Sequence, residues 1–272
     1  MGARFAWGAR TYVMGILNVT PDSFSGDGLA GQPGAAIARA LGMEADGADI
    51  VDIGGMSTRP GHDHVPPGEE LARIMAVLPE LVARLRVPVS IDSFNHEVVG
   101  AALEAGATVV NDVWGLKREP RLAGLAARSG ALLVLMHNQE GTEYHDLVTD
   151  IAASLRQSVA AAEAAGVGRD RIMVDPGIGF GKTPDQNLEV MARLAELRDL
   201  GLPILLGTSR KSTIGRVLGA EVDDRLEGTA ATVALGIACG ADMIRVHDVR
   251  EMVRVARMSD AIVRRGAGVP AA

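Results

Sequence analysis

The carboxylates, amides and cations of this chain stand where short apolar runs end. Asp92 closes VPVSID, Asn111 closes ATVVN and Asp175 closes RIMVD. Two carboxylates and an amide suit a nitrogen-rich heterocycle. The acidic oxygens accept from amino and ring N–H groups, and the amide both donates and accepts. A second set is cationic or can become so: Arg59 in STRPG, Lys211 in SRKS, and Arg245 and His247 in RVH. Guanidinium and ammonium groups gathered in an acidic chain suit phosphates. Arg245 and His247 are two apart and so share one side of an extended strand. Asn18, Asp52 with Ser57 and Thr58 beyond it, Met136 with His137, and Ser209 with Arg210 also follow apolar runs. Singly, an Asp or Asn in such a place is explained as well by a turn or a helix cap. The cations are explained as well by pairing with neighbouring carboxylates. Eight such run ends together argue for one site.

Those runs are the elements that must position the site. Residues 12–17, 49–54, 87–91, 107–111, 131–136, 171–175, 202–207 and 242–246 are short and rich in β-branched residues, and mostly bounded by Gly, Pro, Asn or Asp. They read as eight strands. Being continuously apolar, they belong in a parallel sheet buried on both faces. Between them, Leu71, Ile74, Leu78 and Leu81 follow helical spacing, and Leu188, Met191, Leu194 and Leu197 repeat every three residues. Helices are also expected over 35–45, 98–104, 121–128, 146–164, 224–239 and 249–264. Strand then helix, eight times without a linker, predicts a single α/β domain over 1–272. Its architecture is a (β/α)8 barrel with a core of about 12–265 and a frayed tail. A doubly wound open sheet is the alternative. A barrel carries its site at the C-terminal ends of its strands, where the residues above lie.

Composition excludes several classes. The net charge of −7 over 272 residues disfavours nonspecific nucleic-acid binding. One cysteine, Cys239, cannot form an internal disulfide, which suggests a reduced, cytoplasmic protein. No apolar run approaches the ~18 residues of a membrane span, and the N-terminus lacks a signal-peptide core. Three motifs mislead. GDGLAG (26–31) does not directly follow a strand, and Asp27 would meet a pyrophosphate. PGIGFGKT (176–183) would need its first phosphate-loop glycine at Pro176, leaving Lys182 as a surface lysine before a helix. His62 and His64 lack a third metal ligand.

Seven segments, MGILNVTPDSFS (14–25), GGMSTRPG (54–61), SID (90–92), NDV (111–113), DPGIGFGK (175–182), SRKS (209–212) and RVHDV (245–249), resemble dihydropteroate synthase in the family's order. The resemblance runs from about residue 12 to residue 265. It implies a (β/α)8 barrel, usually dimeric, that condenses 6-hydroxymethyl-7,8-dihydropterin diphosphate with 4-aminobenzoate. The products are 7,8-dihydropteroate and diphosphate, and Mg2+ assists. It also implies roles. Asp92, Asn111, Met136, Asp175, Phe180, Gly207 and Lys211 match pterin positions. Asn18, Arg59, Arg245 and His247 match diphosphate positions, with Asn18 near the Mg2+. Phe24, Thr58, Pro60 and Ser212 match aminobenzoate positions. Lys211, Arg245, His247 and Asp92 would carry catalysis. The loops at 20–32 and 56–66 would close over the site.

The chain departs from the family at three places. Met56 stands where Glu is usual, Ser93 where Thr is usual, and Gly26-Asp27-Gly28 where Asp-Gly-Gly is usual. Met56 is expected to pack in place of the charge, and Ser93 keeps the hydroxyl. Two other classes compete with an active synthase. One is a pterin-binding paralogue without catalysis, motivated by Met56 and Asp27. The other is a methyltetrahydrofolate-binding methyltransferase domain, which would need neither STRPG nor SRKS.

Overall fold

A computed structural model describes residues 5–20, 29, 31–56 and 65–264. Eight strands form one parallel sheet: β1 (Tyr12–Asn18), β2 (Ile50–Gly54), β3 (Val89–Asp92), β4 (Val109–Asp112), β5 (Leu132–Met136), β6 (Ile172–Asp175), β7 (Leu205–Leu206) and β8 (Met243–Val246). The order along the sheet is β6-β5-β4-β3-β2-β1-β8-β7. The two ends meet through the Val174–Ile204 bridge and the Val174 N–H bond to the Pro203 carbonyl at 3.0 Å. The barrel is thus closed, and the open-sheet alternative falls. β7 is the shortest strand, and Pro203 lies two residues before it with no N–H to give a ladder.

Side chains alternate along each strand. Val13, Leu17, Val51, Ile53, Val110, Leu133, Leu135, Val174, Leu206 and Ile244 belong to the main core cluster with the helices. Tyr12, Met14, Ile50, Val109, Leu132, Val134, Met173, Leu205 and Met243 form a second, interior cluster. This interior layer is apolar and fills the N-terminal half of the barrel. Phe5 and Trp7 stack beneath it, each edge-on to Tyr12, and the Arg10 guanidinium lies 4.1 Å from the Tyr12 ring centroid. The next inward position on each strand is one layer higher. Along β2 the step from Ile50 leads to Asp52, along β4 from Val109 to Asn111, along β6 from Met173 to Asp175, and along β8 from Met243 to Arg245. Parity therefore turns the polar residues into the barrel interior, and they share one end because each lies one inward step beyond the apolar layer.

The helices are α1 (Pro33–Ala45), α2 (Pro67–Met75), α3 (Leu78–Arg84), α4 (His96–Glu104), α5 (Leu122–Ser129), α6 (Leu147–Ala164), α7 (Pro184–Ala192), α8 (Ser212–Leu218), α9 (Leu226–Ala238) and α10 (Val249–Val263). Three differ from the sequence reading. The helical spacing from Leu71 to Leu81 is split into α2 and α3, because Pro79 cannot bond back into a continuing helix and is accommodated only in a first turn. The three-residue repeat after Leu188 becomes α7 followed by a 3-10 helix over Leu194–Leu200. There the buried Leu194, Leu197 and Leu200 eclipse at three residues per turn. One additional helix, α8, stands between β7 and α9.

Candidate active site

At the C-terminal end of the barrel one guanidinium holds two carboxylates. Arg245 donates through Nε to Asp52 Oδ2 at 2.6 Å and through Nη2 to Asp92 Oδ2 at 2.7 Å. Asn111 Nδ2 donates to the same Asp52 oxygen at 3.0 Å. Asp52, Asp92, Asn111 and Asp175 are all buried. Burial, the larger effect, disfavours the charge on Arg245, but the carboxylates of Asp52 and Asp92 outweigh it and raise its pKa.

Asp92 is held up to about 7. Burial is the main cause, the Arg245 charge pulls against it, and Asp52 and Glu70 add to it. A carboxyl whose folded pKa exceeds its ordinary value of about 4 binds its proton more tightly in the folded chain. Its charge therefore subtracts from stability increasingly from about pH 4 to pH 7, and fully above 7. Asp92→Asn is accordingly expected to melt above the wild-type chain at pH 8. The gap should narrow at pH 5, as followed by differential scanning calorimetry. An equal or lower melting temperature at pH 8 contradicts this.

Asp175 is also raised, by burial first, against the Lys211 charge and the Gly177 N–H. That N–H donates to Asp175 Oδ1 at 2.7 Å and starts the turn after β6. Gly177 has φ +70°, and a Cβ there would lie 1.9 Å from the His137 carbonyl oxygen, so no other residue fits. The turn is pinned along its length. Gly179 N–H donates to Asn187 Oδ1 at 2.6 Å, Tyr144 Oη donates to the Gly181 carbonyl at 2.7 Å, and Lys211 Nζ donates to the Ile178 carbonyl. Lys211 Nζ also stands 4.7 Å from the Phe180 ring centroid.

Lys182 corrects the sequence reading. It is 9% exposed, not a surface residue. Its Nζ donates to the carbonyls of Gly177 and Phe180, each at 3.0 Å, and lies 3.0 Å from His137 Nδ1. Burial, with the charges of Lys182 and Lys117, drives the His137 imidazole down to about 2, so the neutral ring accepts from Lys182. Burial likewise lowers Lys182 to about 7. The failed phosphate-loop match was the signal available. A glycine-rich turn does wrap a lysine here, around the chain's own carbonyls rather than a phosphate. Lys182 precedes α7, whose cap is the reciprocal Thr183–Gln186 pair.

After β7, Arg210 adopts φ +55°, a strained conformation for a side-chain-bearing residue. Asp248 takes its guanidinium at 3.0 and 2.5 Å, Thr229 Oγ1 accepts its N–H at 3.2 Å, and Arg225 Nη1 donates to its carbonyl at 2.9 Å. This turn carries Lys211 back to the turn after β6 and starts α8 at Ser212, which is exposed. Ser209 Oγ accepts the His247 N–H at 3.1 Å and lies 3.0 Å from His247 Nδ1, which fixes the ring with Nε2 turned away from Ser209. Gly207 faces inward, since a Cβ there would meet Arg245 Cβ at 3.9 Å and Asp175 Oδ2 at 4.0 Å. Met136 and Phe180 are buried together with Val113, beside Phe94 and Trp114. Asn18 ends β1, half-buried.

The structure therefore brings together Asp92, Asn111, Arg245, Asp175, Gly207, Lys211 and Phe180. It adds Asp52, Ser209, His137 and Lys182, which the residue assignments had passed over. Asp52 carried its own signal, a carboxylate inside the apolar run IVDIG. Phe24, Thr58, Arg59 and Pro60 lie outside the described residues, as do most of the two expected closing loops, Gly26-Asp27-Gly28 and His62 to His64. Met56 is 8% exposed and packs in the interior, as expected. Ser93 Oγ accepts the Asn95 N–H at 3.1 Å, the part its hydroxyl keeps. Among the described residues no three His, Cys, Asp or Glu side chains form a metal-binding group, and no helix is long and apolar enough to cross a membrane.

A family model described as "Pterin binding enzyme" matches residues 14–247. A dihydropteroate synthase of Clostridium beijerinckii is 48% identical over 262 residues, covering 96% of this chain and 97% of that one. This chain belongs to the dihydropteroate synthase family. Its activity is that of a transferase, dihydropteroate synthesis. Solved synthases carry the same barrel. The Clostridium difficile enzyme, crystallised in the presence of pteroic acid, superposes with a TM-score of 0.93 at 50% identity, covering 96% of this chain and 100% of that one. The Xanthomonas albilineans enzyme with 4-aminobenzoic acid gives 0.88 at 42%, covering 93% of each. These relatives are synthases, not methyltransferases, so the methyltetrahydrofolate alternative is set aside.

Proposed function

We propose that the polar end of the barrel binds 6-hydroxymethyl-7,8-dihydropterin diphosphate and condenses it with 4-aminobenzoate through a pterin cation. The observation that carries this reading is the buried group of Asp52, Asp92, Asp175 and Asn111 around Arg245, above an apolar floor. Asp92 and Asp175 accept from the ring's amino and N–H groups. Asn111 and Lys211 complete the ring's hydrogen bonds. Gly207 leaves room for the ring, with Met136 and Phe180 as its apolar neighbours.

The CH2–O bond breaks, and its electron pair leaves with the diphosphate. The positive charge left on the CH2 delocalises over the electron-rich ring, where the buried carboxylates stabilise it. Arg59, His247 and the remaining guanidinium donors of Arg245 take the leaving charge. The lone pair of the aminobenzoate nitrogen then forms the new C–N bond, and the nitrogen loses a proton. No protein nucleophile takes part. Phe24, Thr58, Pro60 and Ser212 hold the aminobenzoate.

Asn18 is the residue we assign to Mg2+. The half-buried Asn18 at the end of β1 would give the ion one amide oxygen, with water and the substrate phosphates completing its shell. When bound, Mg2+ neutralises charge on the diphosphate. The test is the purified chain with pterin diphosphate, labelled aminobenzoate and Mg2+. Dihydropteroate is expected, and chelation of the metal should abolish it. Pterin binding without product contradicts the reading and supports the non-catalytic paralogue.

We further propose a cytoplasmic homodimer. Its support is the exposed apolar side chains of α7, α8 and α9, Leu188, Val217, Leu218 and Leu235, of which Val217 is 60% exposed. Sedimentation equilibrium is expected to give twice the chain mass, and Val217→Asp with Leu218→Asp to give the monomer. A wild-type monomer contradicts this.

A further inference from the structure

We propose that Asp52 is a positioning residue that sets which group of the Asn111 amide faces the ligand. The proposal rests on reading this end of the barrel as a pterin site. Asp52 is 0% exposed and one layer above the apolar floor of the barrel. A carboxylate only accepts hydrogen bonds. The 3.0 Å contact from Asn111 to Asp52 Oδ2 is therefore made by Nδ2, and Asn111 Oδ1 lies at the opposite edge of the planar amide. Asn111 thus offers an acceptor to a ring N–H. Its last torsion is soft and roughly two-fold, so the side chain alone has little preference between the two orientations. Asp52 supplies the preference.

Asp52 is itself locked. Arg245 Nε binds the same Oδ2 at 2.6 Å, and the guanidinium is anchored at its other end by Asp92 at 2.7 Å. Strands β2, β3, β4 and β8 each contribute one member of this chain of bonds. Asp52 Oδ1 is buried with no hydrogen-bond partner. Here one oxygen binds both neighbours, and neither bond is to backbone.

The test measures binding of 6-hydroxymethylpterin by calorimetry, which needs no turnover. Asp52→Ala is expected to weaken binding by at least about tenfold, and by less than about threefold once Asn111→Ala is also present. Asp52→Asn keeps an oxygen that accepts from both Arg245 and Asn111, and should bind within about threefold of wild type. Melting curves of the same preparations show which variants are folded. Equal losses from Asp52→Ala with and without Asn111, or a tenfold loss in folded Asp52→Asn, overturn the proposal. Should Asp52→Ala not fold, a tenfold loss in folded Asp52→Asn still overturns the proposal. A wild-type chain that binds no pterin overturns the functional reading instead, which the first titration reveals.

Discussion

Lys211→Ala is expected to lower kcat/KM for the pterin diphosphate by about 10^2- to 10^3-fold, the usual loss on deleting one preorganised donor from a water-poor site. The chain should remain folded. Lys211 leaves the strained Arg210 turn, reaches the Ile178 carbonyl in the neighbouring turn after β6 and lies over the Phe180 ring. Its ammonium links the turns after β6 and β7, and its charge lowers the Asp175 pKa against the effect of burial. Removing it withdraws a donor to the ring and lets Asp175 rise further. Lys211→Arg should not rescue, because a planar fork replaces a point charge on a shorter reach. Steady-state kinetics with a melting curve on each variant checks both statements. A folded Lys211→Ala with near-normal kcat/KM contradicts the assignment.

Asp175→Asn is expected to cost about 10^3-fold in kcat/KM, for a different reason. The variant is isosteric, and its Oδ1 can still accept the Gly177 N–H that Asp175 Oδ1 accepts at 2.7 Å, so the turn should persist. The other carboxylate oxygen becomes an NH2. A site built to accept from ring N–H groups then presents donors to donors, and a buried unpaired donor is strongly rejecting. Because burial raises the Asp175 pKa, removing the charge should hold or raise the melting temperature at pH 8. Lost activity with kept stability is the signature. A coupled loss of both would assign Asp175 to the fold instead.

Much of this was legible in the chain because strand parity is a rigid code. Once IVDIG, VSID, VVND and IMVD are strands, Asp52, Asp92, Asn111 and Asp175 must share a face with the residues two before them. The apolar runs also named all eight strands to within a few residues. Lys182 was legible only in part, since the near-match to a phosphate loop marked a glycine-rich turn and not what the turn encloses. No local pattern says that the five residues from Gly177 to Gly181 will fold around the Lys182 ammonium, which depends on Gly177 passing against the His137 carbonyl. The Pro79 break and the 3-10 turn at Leu194 were present in the text of the sequence. Apolar spacing alone overrode them, because three- and four-residue repeats differ little over one turn. Asp52 was seen as a strand end and given no task, since its role exists only through Asn111 and Arg245, which are distant in the chain.

In this mechanism the carbon–oxygen bond of the pterin diphosphate breaks before the amine arrives. Positional isotope exchange tests it most directly. Substrate carrying 18O at the bridge between CH2 and phosphorus is incubated with the chain and Mg2+ without aminobenzoate, and recovered substrate is analysed by 31P NMR. Reversible departure to a cation lets the departed phosphate group rotate and recombine through an unlabelled oxygen, so 18O is predicted to move into non-bridging positions. Label retained wholly in the bridge, while the same preparation turns over normally with aminobenzoate, would contradict the account.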